Sequence, residues 1–386
     1  ITCARRILRP ITTRPNSPRA EAAPAAMRVR LRRSALCAVL ACLGTADIAA
    51  QVRAAPTRPT AAAIAWTTTR IRQQEFVDLR EVGTRLHWTP RWDAAARRLT
   101  LTADGRTFVF AADQRDAYLD GIRIFLGERV TAHRDSLWVS RDDLVKTLAP
   151  LLHPTGQSLR FPAPPRLIVL DAGHGGSDPG KQNARHGLNE KDMTLDVVLR
   201  LQKLLEGRGY RVLLTRKDDT RFANNPLIDL QRRADFSNQA VADLFLSIHF
   251  NAVDPKDAQR VQGTETYVLT PAGMLSTFDE KKDELTDRTF PGNRNDLPNV
   301  LLGYHLHRQL VTDLKTSDRG YKRARFAVLR FVEAPAALLE AAYLSHDAEA
   351  ARVGTPEFRQ QIAESIARGV DAYARELALI TGTSER

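Results

Sequence analysis

Residues 167–386 are predicted to form an α/β fold, an open mixed sheet flanked by helices, preceded by a small α+β domain. Strand-like and helix-like runs alternate from Leu167 to about Leu379, the signature of an α/β layer architecture. Between residues 67 and 152 the runs are shorter, and two Asp-Gly pairs, Asp104-Gly105 and Asp120-Gly121, adjoin alternating stretches, a strong hairpin signal. Residues 153–166 hold four prolines and separate the two regions as a linker.

In chain order, residues 1–50 read as a leader. Met27 opens a positive Met-Arg-Val-Arg-Leu-Arg-Arg stretch, an apolar run follows from Ser34 to Gly44, and small residues stand at Ala46, Ala49 and Ala50, the layout of an export signal. Residues 1–26 read as upstream reading frame, with Met27 as the start. Cleavage near Ala50 is the preferred outcome; Val39-Leu40-Ala41-Cys42 offers a lipoprotein-processing alternative. The apolar run is too short for a stable transmembrane span, so the chain is expected to be exported, to the periplasm or cell envelope. Residues 51–66, rich in Ala, Pro and Thr, read as a linker.

In the front domain, 67–152, strands are expected over Arg97–Thr102 and Arg106–Ala111, with alternation at Ile122, Ile124 and Leu126 and a short strand at Leu137-Trp138-Val139. Ser140 with Asp143 three residues on reads as a capping box that opens a helix. Beyond the linker, strands are expected at Leu167–Leu170, Arg211–Thr215, Leu244–His249, Thr264–Leu269, Phe326–Arg330 and Ala336–Glu340. Helical spacing relates Thr194, Val197, Val198, Leu201, Leu204 and Leu205. A last helix is expected from Thr355-Pro356, a cap followed by proline at the first helical position; Phe358, Ile362, Ile366, Val370, Tyr373 and Leu377 share one face.

The net charge of +12 does not mark a nucleic-acid binder. Residues 1–60 contain eleven arginines against Glu21 and Asp47, which leaves three of the twelve charges to everything after; a basic face therefore has little support. Cys3, Cys37 and Cys42 all lie in the leader, so neither a disulfide framework nor a thiolate metal site is available beyond it. Any metal there must be held by histidine and carboxylate.

The residues suited to that task cluster at element ends. Leu167-Ile168-Val169-Leu170 breaks into Gly173-His174-Gly175-Gly176, and an imidazole at the carboxyl end of a buried strand is where open α/β sheets put reactive groups. Asn189-Glu190-Lys191-Asp192 opens a helix, Leu244–His249 ends in histidine with Asn251 following, and Ala336–Glu340 ends in glutamate. Two histidines and a glutamate suffice for catalytic zinc with one position open to water, and imidazole favours zinc over magnesium or calcium. Such an ion activates water and polarises a carbonyl. A second, uncoordinated carboxylate is then wanted to move the proton, and Glu340 is the candidate. The HExxH pattern is absent, which excludes that metalloprotease class.

These segments, in order, resemble the zinc-dependent N-acetylmuramoyl-L-alanine amidases (the Amidase_3 type). The resemblance rests on LDAGHGGSDPG (170–180), NEKD (189–192), LTRKDDTRF (214–222) with LQRRADFSNQ (230–239), LFLSIHFNA (244–252), GTETYVL (263–269), DRGYKRARFAVLR (318–330) and PAALLEAAYLSH (335–346). It implies that His174, Glu190 and His249 hold Zn2+ and that Glu340 is the catalytic glutamate. The implied reaction is hydrolysis of the amide between the lactyl group of N-acetylmuramic acid and L-alanine of the stem peptide, which makes peptidoglycan the partner. The alternatives are an inactive peptidoglycan-binding regulator and another zinc amide hydrolase, a peptidase or deacetylase. Residues 67–152 resemble the copper amine oxidase N-terminal-like domain of secreted bacterial proteins. His87 and His133 are isolated there, so no copper site is expected, and a targeting role is.

Ala342-Tyr343, His346 and Phe250 depart from the usual pattern of the resembled enzymes. An insertion around Thr277–Asn295 reads as a solvated loop; its alternative, a lid over 276–296, would require a regulatory protein activator. Two substrate contacts are expected: Asn251, with bonding of the turn backbone as its alternative, and Arg319, which would meet a peptide carboxylate or form a loop ion pair. His186 is weighed as a competing ligand and set below His174, and His346 is read as a polar residue after a strand, with a substrate contact near Glu340 as its alternative.

Overall fold

The computed structural model describes residues 65–133, 135–152 and 160–383; the leader, the export signal and most of the first linker lie outside the described residues. Seventeen strands are described: β1 Thr68–Ile71, β2 Gln74–Asp78, β3 Thr89–Asp93, β4 Arg98–Ala103, β5 Arg106–Ala111, β6 Asp116–Leu119, β7 Ile122–Phe125, β8 Thr131–His133, β9 Ser136–Ser140, β10 Leu167–Ala172, β11 Gln182–Asn183, β12 Leu188–Asn189, β13 Arg211–Leu214, β14 Leu244–Asn251, β15 Thr264–Leu269, β16 Asp318–Ala324 and β17 Ala336–Tyr343. The principal helices are α1 Leu79–Arg85, α2 Glu190–Glu206, α3 Pro226–Gln239, α4 Asp296–Leu314, α5 Ala327–Phe331, α6 Asp347–Val353 and α7 Pro356–Thr381.

Eleven strands form one mixed sheet in the order β13-β10-β14-β17-β15-β16-β7-β6-β5-β4-β3. The first four run parallel, and every residue of β10 is buried, as a continuous apolar run covered on both faces requires. β15 lies antiparallel to β17, and β16 parallel to β15. The edge at which β10, β14 and β17 end is therefore the edge at which β15 and β16 begin. Helices α2, α4 and α7 supply a core on one face, with Val197, Leu201, Leu306, Ile366 and Val370 fully buried. The expected stripe of α7 is buried from Phe358 to Leu377, and Thr355 caps its start by accepting from the Phe358 backbone N–H.

The two Asp-Gly hairpins form as read. Asp104 and Gly105 both have positive φ, as do Asp120 and Gly121, the backbone a tight two-residue turn needs. Ser140 caps the expected helix start: the Asp143 N–H donates to Ser140 Oγ at 3.0 Å, while the Asp143 carboxylate accepts from the Ser140 hydroxyl rather than from its backbone N–H. The front strands continue the main sheet, with β7 meeting β16 in parallel at Ile124 and Tyr321. The Arg123 N–H also donates to Asp318 Oδ2 at 2.8 Å.

One expected strand is a helix. Phe326–Arg330 falls in α5, where Ala327, Val328 and Leu329 are buried; a five-residue apolar run does not distinguish a buried strand from a buried helical turn. The strand of that region is β16, whose DRGYKRA sequence looks too polar for a sheet interior. Its charges are paired inside, as with Lys322 and Glu265. The insertion is more anchored than a solvated loop. The Arg115 guanidinium donates to the carbonyls of Ser276 and Asp279, Arg325 to that of Met274, and the Arg323 N–H to Thr277 Oγ1. Two short runs, residues 280–284 and 287–289, are exposed throughout.

Deleting residues 65–152 would leave β16 as an open edge, and open edges recruit other strands. The truncated chain is expected to self-associate more than the full one in sedimentation velocity; identical profiles would contradict this account of β7.

Candidate metal centre

The three expected ligand residues meet. His174 follows β10, Glu190 is the first residue of α2 and His249 lies near the end of β14. One ligand atom from each lies within 4.8 Å of the others. Glu190 Oε1 is 3.0 Å from His174 Nε2 and 3.0 Å from His249 Nδ1, and the ring planes stand 80° apart. Among the described residues this is the one such His/Cys/Asp/Glu group, and His186 is not in it.

The local backbone explains the glycines. A β-carbon on Gly173 would lie 2.3 Å from the His249 ring, and one on Gly180 would lie 2.7 Å from Glu190 Oε2. Both positions are the close approaches that only glycine permits. The other Glu190 oxygen accepts the Lys181 N–H at 2.8 Å, and Oε1 also accepts that of Phe250.

Residues that sequence reasoning did not single out hold this arrangement. His174 Nδ1 lies 3.0 Å from Asp178 Oδ2, so its second ring nitrogen has an orienting carboxylate, the usual support of a metal-ligating histidine. Arg216 donates to the carbonyls of Ala172 and Gly173, and Arg233 to those of Ala172 and His174. Arg233 also binds Asp171 Oδ1 at 2.8 Å, and Asp171 accepts from Thr215 and Ser247. Two buried guanidinium groups thus replace the sheet hydrogen bonds that the histidine loop gives up. The TR and RRAD segments were visible as motifs, but their role needs the fold.

Electrostatics follow from burial and crowding. Burial opposes the charge of Glu190, yet the two imidazoles outweigh it and hold its carboxyl well below the ordinary range. Burial would lower His174, but Glu190 and Asp178 outweigh it and raise the imidazole. The hydrogen bond to His174 holds Asp178 down at about 2. Glu340 behaves oppositely: burial, then the neighbouring Glu190 and Glu265, push its carboxyl far up. Its Oε2 is buried without a hydrogen-bond partner, and it pairs across strands with His249 on one side and Glu265 on the other. Two imidazoles and one shared carboxylate oxygen fit zinc chemistry, and the unpartnered Glu340 oxygen fits a group kept for a reactant.

The other expectations are placed as follows. The Asn251 amide donates to Glu265 Oε2 at 2.9 Å and its carbonyl accepts the Ala252 N–H, with the residue 5% exposed. Arg319 binds Glu265 Oε1 through Nε at 2.8 Å. His346 caps α6 by accepting from the Glu349 N–H. His305 contacts Glu376, and His307, fully buried, joins Thr266 and Asp318.

A family profile described as Amidase_3, N-acetylmuramoyl-L-alanine amidase, matches residues 168–372. N-acetylmuramoyl-L-alanine amidase AmiA of Escherichia coli K12 is 29% identical over 257 residues, covering 61% of this chain and 84% of that protein. N-acetylmuramoyl-L-alanine amidase AmiC of Neisseria meningitidis is 33% identical over 237 residues, covering 56% of this chain and 54% of that protein. The solved structure of N-acetylmuramoyl-L-alanine amidase AmiC2 of Nostoc punctiforme is 30% identical, with a TM-score of 0.43, and the match covers 54% of this chain and 97% of that one.

Replacing Arg233 by methionine would leave Asp171 charged and buried without its cation. The expected loss is about 3–5 kcal/mol of stability, measured by urea unfolding; a loss well under 1 kcal/mol would show that the pair does not hold the loop.

Proposed function

The chain belongs to the N-acetylmuramoyl-L-alanine amidase family and is a peptidoglycan amidase, and we propose that its reaction uses zinc held by His174, Glu190 and His249. The bond cut joins the lactyl group of N-acetylmuramic acid to L-alanine of the stem peptide. The observation that carries the proposal is the convergence of those three ligand atoms within 4.8 Å, on strands and a helix start bordering Glu340.

When bound, zinc there would bring the pKa of water towards neutrality and polarise the lactyl carbonyl. Asp178 keeps the His174 ring turned so that Nε2 faces Glu190. Glu340 takes the proton from the attacking water and returns it to the alanine nitrogen as the amide breaks. Its buried Oε2 makes no competing hydrogen bond, and burial beside Glu190 favours holding that proton until the amine leaves. Arg216 and Arg233 fix the loop carbonyls so that the histidine does not swing away.

Export is proposed from the signal pattern at Met27–Ala50; among the described residues no helix is long and apolar enough to cross a membrane. For residues 67–152, which resemble the copper amine oxidase N-terminal-like domain, attachment to the wall without chemistry is proposed. A regulatory protein activator remains part of the proposal for the insertion, whose anchoring contacts involve none of the three ligand residues.

Zinc analysis of purified variants tests the ligands. Glu190→Ala is expected to lose the metal, Glu340→Ala to retain it while losing activity, and Asp178→Asn to bind about 10–100-fold more weakly. Retention of zinc by Glu190→Ala would remove that residue from the set. Mass spectrometry of digested peptidoglycan tests the reaction: intact stem peptides beginning with L-alanine are expected. New reducing sugars or shortened stems would indicate the deacetylase or peptidase alternative, and no release at all the inactive binder.

A further inference from the structure

Beside Glu340 the sheet carries a second charged cluster that the hydrolytic step does not use. Glu265 is fully buried and is the direct cross-strand partner of Glu340. Five donors converge on its carboxylate: Lys322 Nζ at 2.6 Å, Arg319 Nε at 2.8 Å, the hydroxyls of Tyr343 at 2.6 Å and Tyr267 at 2.5 Å, and the Asn251 amide at 2.9 Å. Such a carboxylate stays ionised despite its burial.

The charges of the cluster do not cancel. Lys322, itself 3% exposed, already neutralises Glu265, so the positive charge of Arg319 is surplus. Arg319 is also the most exposed of the pairings, at 32%. Its Nε is committed to Glu265 and Tyr343, and its guanidinium lies 5.3 Å from the Tyr343 ring centre. The two terminal amino groups have no partner among the described residues. A guanidinium locked through Nε, with its outer edge open, is a preorganised fork for a carboxylate. Holding it from behind removes the rotamer entropy that a free arginine loses on binding.

Its place on the edge defines what it can reach. Arg319 is the second residue of β16, which begins at the edge where β17 carries Glu340. Two strand spacings separate β16 from β17, about 10 Å, which is the length of about three residues of extended peptide.

Resting on the amidase reading above, we propose that Arg319 determines specificity by binding a free carboxylate of the stem peptide within about three residues of the scissile amide, and that Glu265 is its positioning residue. An acidic stem is thereby preferred over one whose carboxylate is amidated.

The test compares the full-length enzyme on two muropeptides that differ only in that carboxylate, free or amidated, with kcat and KM measured separately. The wild type is expected to favour the acid by about tenfold or more in kcat/KM, mainly through KM. Arg319→Ala is expected to bring the ratio to about one, and Arg319→Lys, which keeps charge but not the fork, to restore only part of it. Glu265→Gln combined with Lys322→Met removes the lock without leaving a buried lone charge, and is expected to cut the preference while Arg319 remains. Calorimetric titration with the free stem peptide and its amide separates the two readings. Acid-selective binding without hydrolysis of either muropeptide would retain the fork and overturn the amidase assignment. Hydrolysis with equal use and equal binding of acid and amide would overturn the fork alone, as would a preference unchanged in Arg319→Ala.

Discussion

One carboxylate oxygen organises the molecule. Glu190 Oε1 lies within hydrogen-bonding distance of both imidazoles and of the Phe250 backbone N–H, so a helix start, a strand end and a glycine loop must all arrive at the same point. Few groups crowd donors and acceptors this way without a cation to reconcile them. Much of the surrounding architecture reads as the means of enforcing that meeting. β10 and β14 pair in parallel up to Ala172 and Ile248, so His174 and His249 both follow the last pair. α2 begins where its first side chain, and its dipole, face the ligand group. Two buried arginines hold the loop carbonyls.

Much of this was legible from residues alone. The apolar run Leu167–Leu170 and the largely apolar Leu244–His249 announced buried strands, and the Thr355-Pro356 start announced α7. The ligand set was legible because LDAGHGGSDPG, NEKD and LFLSIHFNA stand in the order of the resembled amidases, which implies the roles of His174, Glu190 and His249. What escaped had a physical cause in each case. β16 was hidden because Lys322 and Arg323 look like surface residues until Glu265 and the Lys146 carbonyl are seen to pair with them. α5 was misread because Phe326–Arg330 is too short for period to distinguish its two possible backbones. Asp178 gave one weak signal, four residues after His174, in a loop where no period applies.

The front region changes meaning once the pairing of β7 with β16 is known. A Pro-rich stretch ahead of an α/β fold suggests a tethered module. The structure instead passes one sheet through both regions, and Arg115 reaches across to grip the insertion by its carbonyls. Accessory and hydrolytic parts therefore share hydrogen bonds as well as a chain, and the insertion is braced from both.

The reversal of strand direction at β15 has a consequence of its own. In an all-parallel sheet only the loops that follow strands would border the reaction, and each would have to combine chemistry with recognition. Here the neighbouring strands start where the others finish, so Glu265 and Arg319 are set on rigid backbone two and three strands from His249. Diversification of relatives could thus proceed by exchanging side chains at those strand starts while the hydrolytic apparatus stays intact, a division of labour open to protein engineers as well.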